Sequence, residues 1–342
     1  MSDSVRVAVA PWSIDPDVAK DALALLRTAK RVLVPTHQNV DADALASAIA
    51  LCVALEQVGV EALPVISDGN LPHSLKFLPF LDRVLIYGQH ELPEFDVLCL
   101  ADSSDRRRLG NLQTDHPDWF EGSIPMVNID HHVTNERFGE LNLIQPESVA
   151  TCAVLTEHLP DWGLTISREV AENLATGIVT DTLGFRTSNT SPACLRQAAL
   201  LMETGINFPE LYDIALNRRS YNAAHYWGAG LASLKSEHGI VYGTLTIAER
   251  KASGYGGNDD ADLINLISTI EKHKIGMVFV EQSDNHVKIS WRALQPGVDV
   301  SGLAKSFGGG GHQAAAGADI PGTLAEIQLQ VLKATRDMLQ SS

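Results

Sequence analysis

The sequence predicts an α/β fold: a mostly parallel sheet flanked by helices, followed by a smaller mixed α/β unit. Three observations predict it. From Arg31 to about Ile144, short β-branched runs alternate with helical patterns, the mark of crossover units joining parallel strands. Past Gly184 that alternation stops, and a second mixed pattern begins near Ala223. A chain of 342 residues also suits two domains of ordinary size better than one.

The elements follow in order. A helix is expected over Pro16–Ala29, opened by the Asp15-Pro16 start signal. Strands are expected at Arg31–Thr36, Ala62–Ser67, Arg83–Tyr87, Asp96–Ala101 and Ile124–Ile129, with a helix from Asp41 to Val58 after the first. The apolar stretch Ala44–Val58 is interrupted by Ser47, Glu56 and Gln57 and is too short to span a bilayer, so it reads as a buried helix. Helices at Val149–Leu159, Arg168–Val179, Pro192–Glu203 and Pro209–Leu216 lead to Asn217-Arg218-Arg219-Ser220, where the domain connection is placed. The second unit opens with a helix at Ala223–Lys235, continues with strands at Ile240–Ile247, Ile275–Glu281 and His286–Trp291, and closes with a helix at Leu324–Leu339. The expected division is a first domain over 15–205, a helical connection over 206–222 and a second domain over 223–342.

Composition narrows the function classes. With 45% hydrophobic and 20% charged residues the chain reads as soluble and globular. Met1–Trp12 has neither a basic start nor a sustained apolar core, so no secretory signal is expected, and a cytoplasmic location is. Cys52, Cys99, Cys152 and Cys194 lie far apart beside apolar segments and read as reduced core thiols. A formal charge of −16 argues against a broad grip on long duplex nucleic acid, which requires many Lys and Arg to displace counterions. It leaves room for a short anionic ligand, because clustered carboxylates can be neutralised by bound metal.

Three apolar strands run directly into polar clusters: Val32 to His37, Val97 to Asp102, and Met126 to Asp130-His131-His132. The carboxyl ends of parallel strands share one edge of a sheet, so these distant clusters can converge. Asp41 and Asp43 fall at the start of the following helix, where its dipole favours negative charge. A lone Asp41 would be a helix cap, and a lone Asp102 a polar turn; His37 four residues before Asp41 shifts the balance toward metal ligation. Two adjacent imidazoles behind an acid have little packing use and more often mark a site. Asp181 extends the apolar stripe of Ala171, Leu174, Ala175 and Ile178, where a carboxylate must be paired or metal-bound.

At these residues the chain resembles the DHH phosphoesterase superfamily. His37-x-x-x-Asp41-x-Asp43, Asp102, Asp130-His131-His132 and Thr180-Asp181-Thr182 match its four motifs in order. Ser290-Trp291-Arg292 and the run from Phe307 through Gly308–Gly311, His312 and Ala314–Ala316 to Gly317 resemble the DHHA1 domain that often accompanies it. Val40 stands where many relatives have proline, and Ala42 and Ala46 where small residues or glycine are usual; none of these is a ligand. The similar branch contains nanoRNases (oligoribonucleases) and adenosine 3′,5′-bisphosphate phosphatases.

The resemblance implies one metal held by His37, Asp41 and Asp102, and a second by Asp43, Asp102, His131 and Asp181, with Asp102 shared. His132 would meet the phosphate or protonate the leaving oxygen, and Asp130 would orient the neighbouring imidazoles. It also implies an active site in the cleft between the domains, with Ser290, Arg292, Gly309, Gly310, Gly311 and His312 gripping the far part of a nucleotide. Carboxylates with imidazole and no thiolate suit Mn²⁺, with Mg²⁺ or Co²⁺ as alternatives. Arg108 is the candidate phosphate clamp, while Arg106 and Arg107 read as solvated. The expected substrate is short single-stranded RNA or a 3′-phosphorylated nucleotide, with no membrane partner and a possible homodimer. Competing readings are pApA, pyrophosphate or polyphosphate on the same centre, and a non-catalytic nucleotide sensor.

Overall fold

Alternating side chains explain how the first sheet is buried on both faces. The structure, a computed structural model, describes residues 14–311 and 313–341, so Met1–Trp12 and His312 lie outside the described residues. It divides into one unit ending at Arg218 and another beginning at Arg219. The first unit runs α1 (Pro16–Thr28), β1 (Arg31–Thr36), α2 (Ala42–Glu56), β2 (Glu61–Ile66), β3 (Leu85–Ile86), β4 (Val97–Ala101), α3 (Gly110–Asp115), β5 (Met126–Asp130) and β6 (Leu141–Ile144). Then come α4 (Thr151–Asp161), α5 (Arg168–Asp181), α6 (Pro192–Glu203) and α7 (Phe208–Tyr212), which continues into a π-helical turn at Asp213–Asn217. Val32, Val34, Cys99, Ala101, Val127 and Ile129 pack into a core with α1, α2, α4 and α5. Their neighbours Leu33, Leu98, Leu100 and Met126 pack the opposite way, against Leu109, Leu112 and Phe120. Strands buried on both faces read as continuous apolar runs, as parallel strands should.

Among the described residues the sheet has six strands in the order β3-β2-β1-β4-β5-β6, every neighbouring pair parallel. The order reverses between β1 and β4. At such a switch point the connections leave to opposite sides and open a crevice at the carboxyl ends of the strands. Helix starts are set locally: Asp15, Asp41, Ser167 and Ser191 each accept a hydrogen bond from the first turn of the helix that follows. Almost all of α2 is buried, as a helix apolar on every face requires. No helix among the described residues is long and apolar enough to cross a membrane. The expected third strand shrinks to Leu85–Ile86, because Leu81–Arg83 forms a 3₁₀ turn and Arg83 pairs with Glu56. Ile206 and Leu211, within the expected connection, are buried in the first unit's core.

The second unit runs α8 (Tyr221–Ala232), β7 (Lys235–Glu237), β8 (Ile240–Leu245), α9 (Ile247–Ser253), α10 (Leu263–Ile267), β9 (Ile275–Gln282) and β10 (His286–Ala293). It ends with α11 (Ser301–Ser306), β11 (Gly310–Gly311), β12 (Ala315–Pro321) and α12 (Leu324–Ser341). Its sheet is mixed, in the order β11-β12-β10-β9-β8-β7, with β8–β9 the parallel pair. The strand expected to reach Ile247 stops at Leu245 because Thr246 and Glu249 form a capping box that starts α9. In β10, Val287, Ile289 and Trp291 face the core, which leaves Ser290 and Arg292 together on the other face.

Candidate metal centre

The switch point gathers the polar clusters that follow β1, β4 and β5. His37 leaves the end of β1, and its Nδ1–H donates to the Gln38 carbonyl at 2.8 Å. That bond leaves Nε2 facing Asp102 Oδ2 at 3.4 Å and Asp41 Oδ2 at 3.5 Å. His37 is buried and its Nε2 has no hydrogen-bond partner, as expected of a ring nitrogen reserved for a cation. Asp41 serves two ends: Oδ1 caps α2 by accepting from Ala44 N at 3.0 Å, and Oδ2 faces His37.

His131 is set in the same manner. Its Nδ1–H donates to the Ser148 carbonyl at 3.3 Å, while Nε2 faces Asp181 Oδ2 at 3.4 Å, Asp102 Oδ1 at 3.5 Å and Asp43 Oδ2 at 3.9 Å. Three donor groups result, each with its atoms within 4.8 Å of one another: His37, Asp41 and Asp102; Asp43, His131 and Asp181; and Asp102, Asp130, His131 and His132. Asp102 stands among the first group through Oδ2 and against His131 through Oδ1. Its φ of 63° is unusual for a residue with a Cβ and belongs with the strained conformations found at functional sites.

Asp130 carries a different load. Oδ1 accepts from His131 N at 2.8 Å, His132 N at 3.2 Å and His132 Nδ1 at 2.6 Å, and Oδ2 accepts from Asn135 at 2.6 Å. It therefore orients the His132 ring and the backbone of the triplet, whereas the His131 ring is oriented by Ser148. His132 Nε2 lies 3.4 Å from Arg108 Nη1. Of the three arginines, Arg108 turns inward; Arg107 is exposed and pairs with Asp105 and Glu136, and Arg106 lies over the Phe138 ring.

The carboxylates crowd one another, with Asp43, Asp102 and Asp130 buried and Asp41 and Asp181 reaching solvent. Burial and then the charge of Asp102 raise the Asp43 carboxyl to about 8, and burial with Asp43 and Asp41 holds that of Asp181 well above the usual range. Burial and Arg108 oppose protonation of His37, but Asp41 and Asp102 outweigh them and raise it to about 9. His132 is also raised, burial being outweighed by Asp102 and Asp130. Such an excess of clustered negative charge, with imidazole Nε2 atoms aimed into it that a cation would take in place of a proton, fits divalent cations.

Thr151, Cys152, Ser148, Asn135 and Gly177 also build the site, although the sequence reading missed them. Thr151 N and Cys152 N donate to Asp43 at 2.7 and 3.0 Å, and Thr151 Oγ1 donates to Asp102 Oδ1 at 2.8 Å. Only the place of Asn135, three residues beyond His132, offered a signal. In the second unit, Arg292 donates to Asn265 Oδ1 at 3.3 Å and lies near Asp260 and Asp262, with its Nε lacking a partner. Ser290 lies beside Asp260 as well. Gly309 and Gly311 are explained by packing: a Cβ at Gly309 would sit 2.8 Å from Ala318 Cα, and one at Gly311 2.9 Å from Ala316 Cβ. A Cβ at Gly310 would meet none of the described residues within 4 Å. The four cysteines are free and buried, as expected.

The fold and the site together define a class: an α/β protein with carboxylate and imidazole donors set for divalent cations at a sheet's switch point. Comparison with known proteins agrees. The DHH family N-terminal domain matches residues 31–178, and the DHHA1 domain matches residues 240–340. The chain is 32% identical over 314 residues, 90% of each chain, to the bifunctional oligoribonuclease and PAP phosphatase NrnA of Thermus thermophilus. It is 24% identical to the Bacillus subtilis protein of the same name, over 84% of this chain and 89% of that one. A crystal structure of an exopolyphosphatase-related protein from Bacteroides fragilis shares the fold, with a TM-score of 0.85 at 23% identity over 96% of this chain and 97% of that one. The chain belongs to the DHH phosphoesterases that carry a DHHA1 domain, in the branch of oligoribonucleases and adenosine 3′,5′-bisphosphate phosphatases.

Proposed function

We propose that the protein is a two-metal phosphoesterase of the Mn²⁺ type. It cleaves di- to pentanucleotide RNA to mononucleotides and removes the 3′-phosphate of adenosine 3′,5′-bisphosphate to leave AMP. The observation that carries this is the pair of donor groups sharing Asp102, His37 with Asp41 on one side and Asp43, His131 and Asp181 on the other. The names of the Thermus thermophilus and Bacillus subtilis relatives support the substrate class. Two divalent ions held there would supply a Lewis acid for the phosphoryl oxygen and activate water.

The chain's own residues do the rest. Asp130 holds one proton of His132 on Nδ1, so in the imidazolium the second proton sits on Nε2, which meets the phosphate or gives that proton to the leaving oxygen and is left neutral. The raised affinity of His132 for its proton suits the acid role. Arg108, beside that nitrogen, neutralises phosphate charge. Asp102 would hold both ions and so take part in catalysis through them. Ser290, Arg292, Gly310 and His312 contact the far part of the substrate, and Gly309 and Gly311 hold that loop. The charge of −16 disfavours long duplex nucleic acid. A cytoplasmic homodimer without membrane partners completes the reading.

The test is product analysis of a labelled dinucleotide panel beside adenosine 3′,5′-bisphosphate, with Mn²⁺, Mg²⁺ or Co²⁺. Mononucleotides and AMP should appear and should vanish with Asp102→Ala. Fast pyrophosphate hydrolysis with inert pApA sinks the substrate assignment. No turnover of any phosphoester with any of the ions leaves a sensor.

A further inference from the structure

Asp102 can serve two donor groups only if its carboxylate is held in one rotation. The torsion that turns a carboxylate is soft and broad, so the backbone alone does not fix it. Oδ2 faces His37 Nε2 at 3.4 Å, while Oδ1 faces His131 Nε2 at 3.5 Å. A hydroxyl bond to this carboxylate comes from Thr151, whose Oγ1–H reaches Oδ1 at 2.8 Å. Thr151 is fully buried. An ionised carboxylate only accepts, so the hydroxyl proton points at Oδ1 and occupies one of its two lone-pair directions, leaving the other for a cation.

The same residue grips a second ligand. Its backbone N–H donates to Asp43 Oδ2 at 2.7 Å, and the next N–H, of Cys152, donates to Asp43 Oδ1 at 3.0 Å. Ala150, at the cap position of α4, has no side-chain acceptor, so Asp43 from α2 caps α4 in its place. The first turn of α4 therefore ties together one ligand of the second donor group and the carboxylate shared by both.

We propose that Thr151 is a positioning residue of the metal centre: its hydroxyl sets the rotation of Asp102, one oxygen toward each donor group, so that two ions bind as a pair. This rests on the metal centre proposed above. Partners that orient metal ligands typically govern affinity by about 10–100-fold. Thr151→Val keeps the shape and removes the proton; Thr151→Ser keeps the proton.

The experiment counts bound Mn²⁺ by equilibrium dialysis, with free Mn²⁺ read by electron paramagnetic resonance, and follows thermal unfolding of the metal-free proteins. The unaltered protein and Thr151→Ser should take up two ions with similar affinity and show the spin-coupled signal of a pair. Thr151→Val should bind its second ion about 10–100-fold more weakly and lose that signal, while its metal-free form still unfolds cooperatively. Wild-type uptake by Thr151→Val overturns the inference, and so does a loss in Thr151→Ser equal to that in Thr151→Val, which would place the effect in packing. Should Thr151→Val not fold, Thr151→Ala against Thr151→Ser gives the same comparison with two smaller side chains. If the unaltered protein binds no divalent ion, the metal centre itself falls and the inference with it.

Discussion

Gly177 lies inside α5, where alanine is the better helix former by about 1 kcal/mol, so Gly177→Ala ought to stabilise the protein. The site predicts the reverse. An added Cβ would stand 2.8 Å from Cys152 Cβ and closer still to Cys152 Sγ and Asp43 Oδ1. Carbon pairs settle at about 3.5–4.0 Å, so the surroundings must give by about 0.7 Å or more. Asp43 cannot retreat alone, since both of its oxygens hold the first turn of α4. Overpacking of this kind costs about 1–3 kcal/mol, which cancels or exceeds the helix gain and leaves a net loss of about 0–2 kcal/mol. The larger effect falls on Asp43 as a ligand, with Mn²⁺ affinity down about 10–100-fold. Calorimetric unfolding of the metal-free protein and a Mn²⁺ titration measure the two separately. A variant that is 1 kcal/mol more stable and keeps its Mn²⁺ affinity would refute the close packing of α5 on Asp43.

Other outcomes follow from the same geometry. His132→Ala should lower kcat by about 10²–10⁴-fold while metal content, measured by atomic absorption, stays unchanged; loss of metal instead would mean that the roles of His131 and His132 are reversed. Burial and then Asp262 raise the carboxyl of Asp260 from 3.8 to about 6. The folded state then holds its proton more tightly than the unfolded state, so stability falls as pH rises from about 4 to about 6 and stays reduced above, by about 3 kcal/mol. Asp260→Asn should flatten that decline in urea unfolding curves, and an unchanged pH dependence would show that Asp260 does not cause it. The thiols of Cys52, Cys99, Cys152 and Cys194 are buried, so a thiol-reactive disulfide dye should label them only as the protein unfolds.

The residues of the candidate metal centre were legible because each interrupts a pattern. His37, Asp102 and Asp130-His131-His132 stand where an apolar strand turns polar at once, and Asp181 breaks an apolar helical stripe. Asp41 was both things that sequence offered for it, a helix cap and a neighbour of His37. Thr151 and Ser148 gave no signal, since Thr and Ser near a helix start are common and their partners, Asp102 and His131, are fixed only by folding. In the second unit, Ala315–Pro321 is poor in β-branched residues and was not read as a strand, yet pairing along the whole of β10 overrides that propensity. The helix expected over Pro209–Leu216 splits at Asp213 into α and π segments. At Gly309 and Gly311 folding adds a second reason for glycine beside room for a ligand, the close approach of strand β12.

The switch point also sets a schedule for biosynthesis. His37 is among the first donors to leave the ribosome and Asp181 the last, with β4, β5 and the start of α4 made between them. A chain still short of α5 can pair its central strands but lacks a ligand for the second donor group. If the proposed pair of ions is bound, its uptake waits for the first domain's chain to be nearly complete, and ions bound only by the folded form would then stabilise it according to their free concentration. Cation supply would thus govern how much of the newly made domain stays folded as well as how much is active.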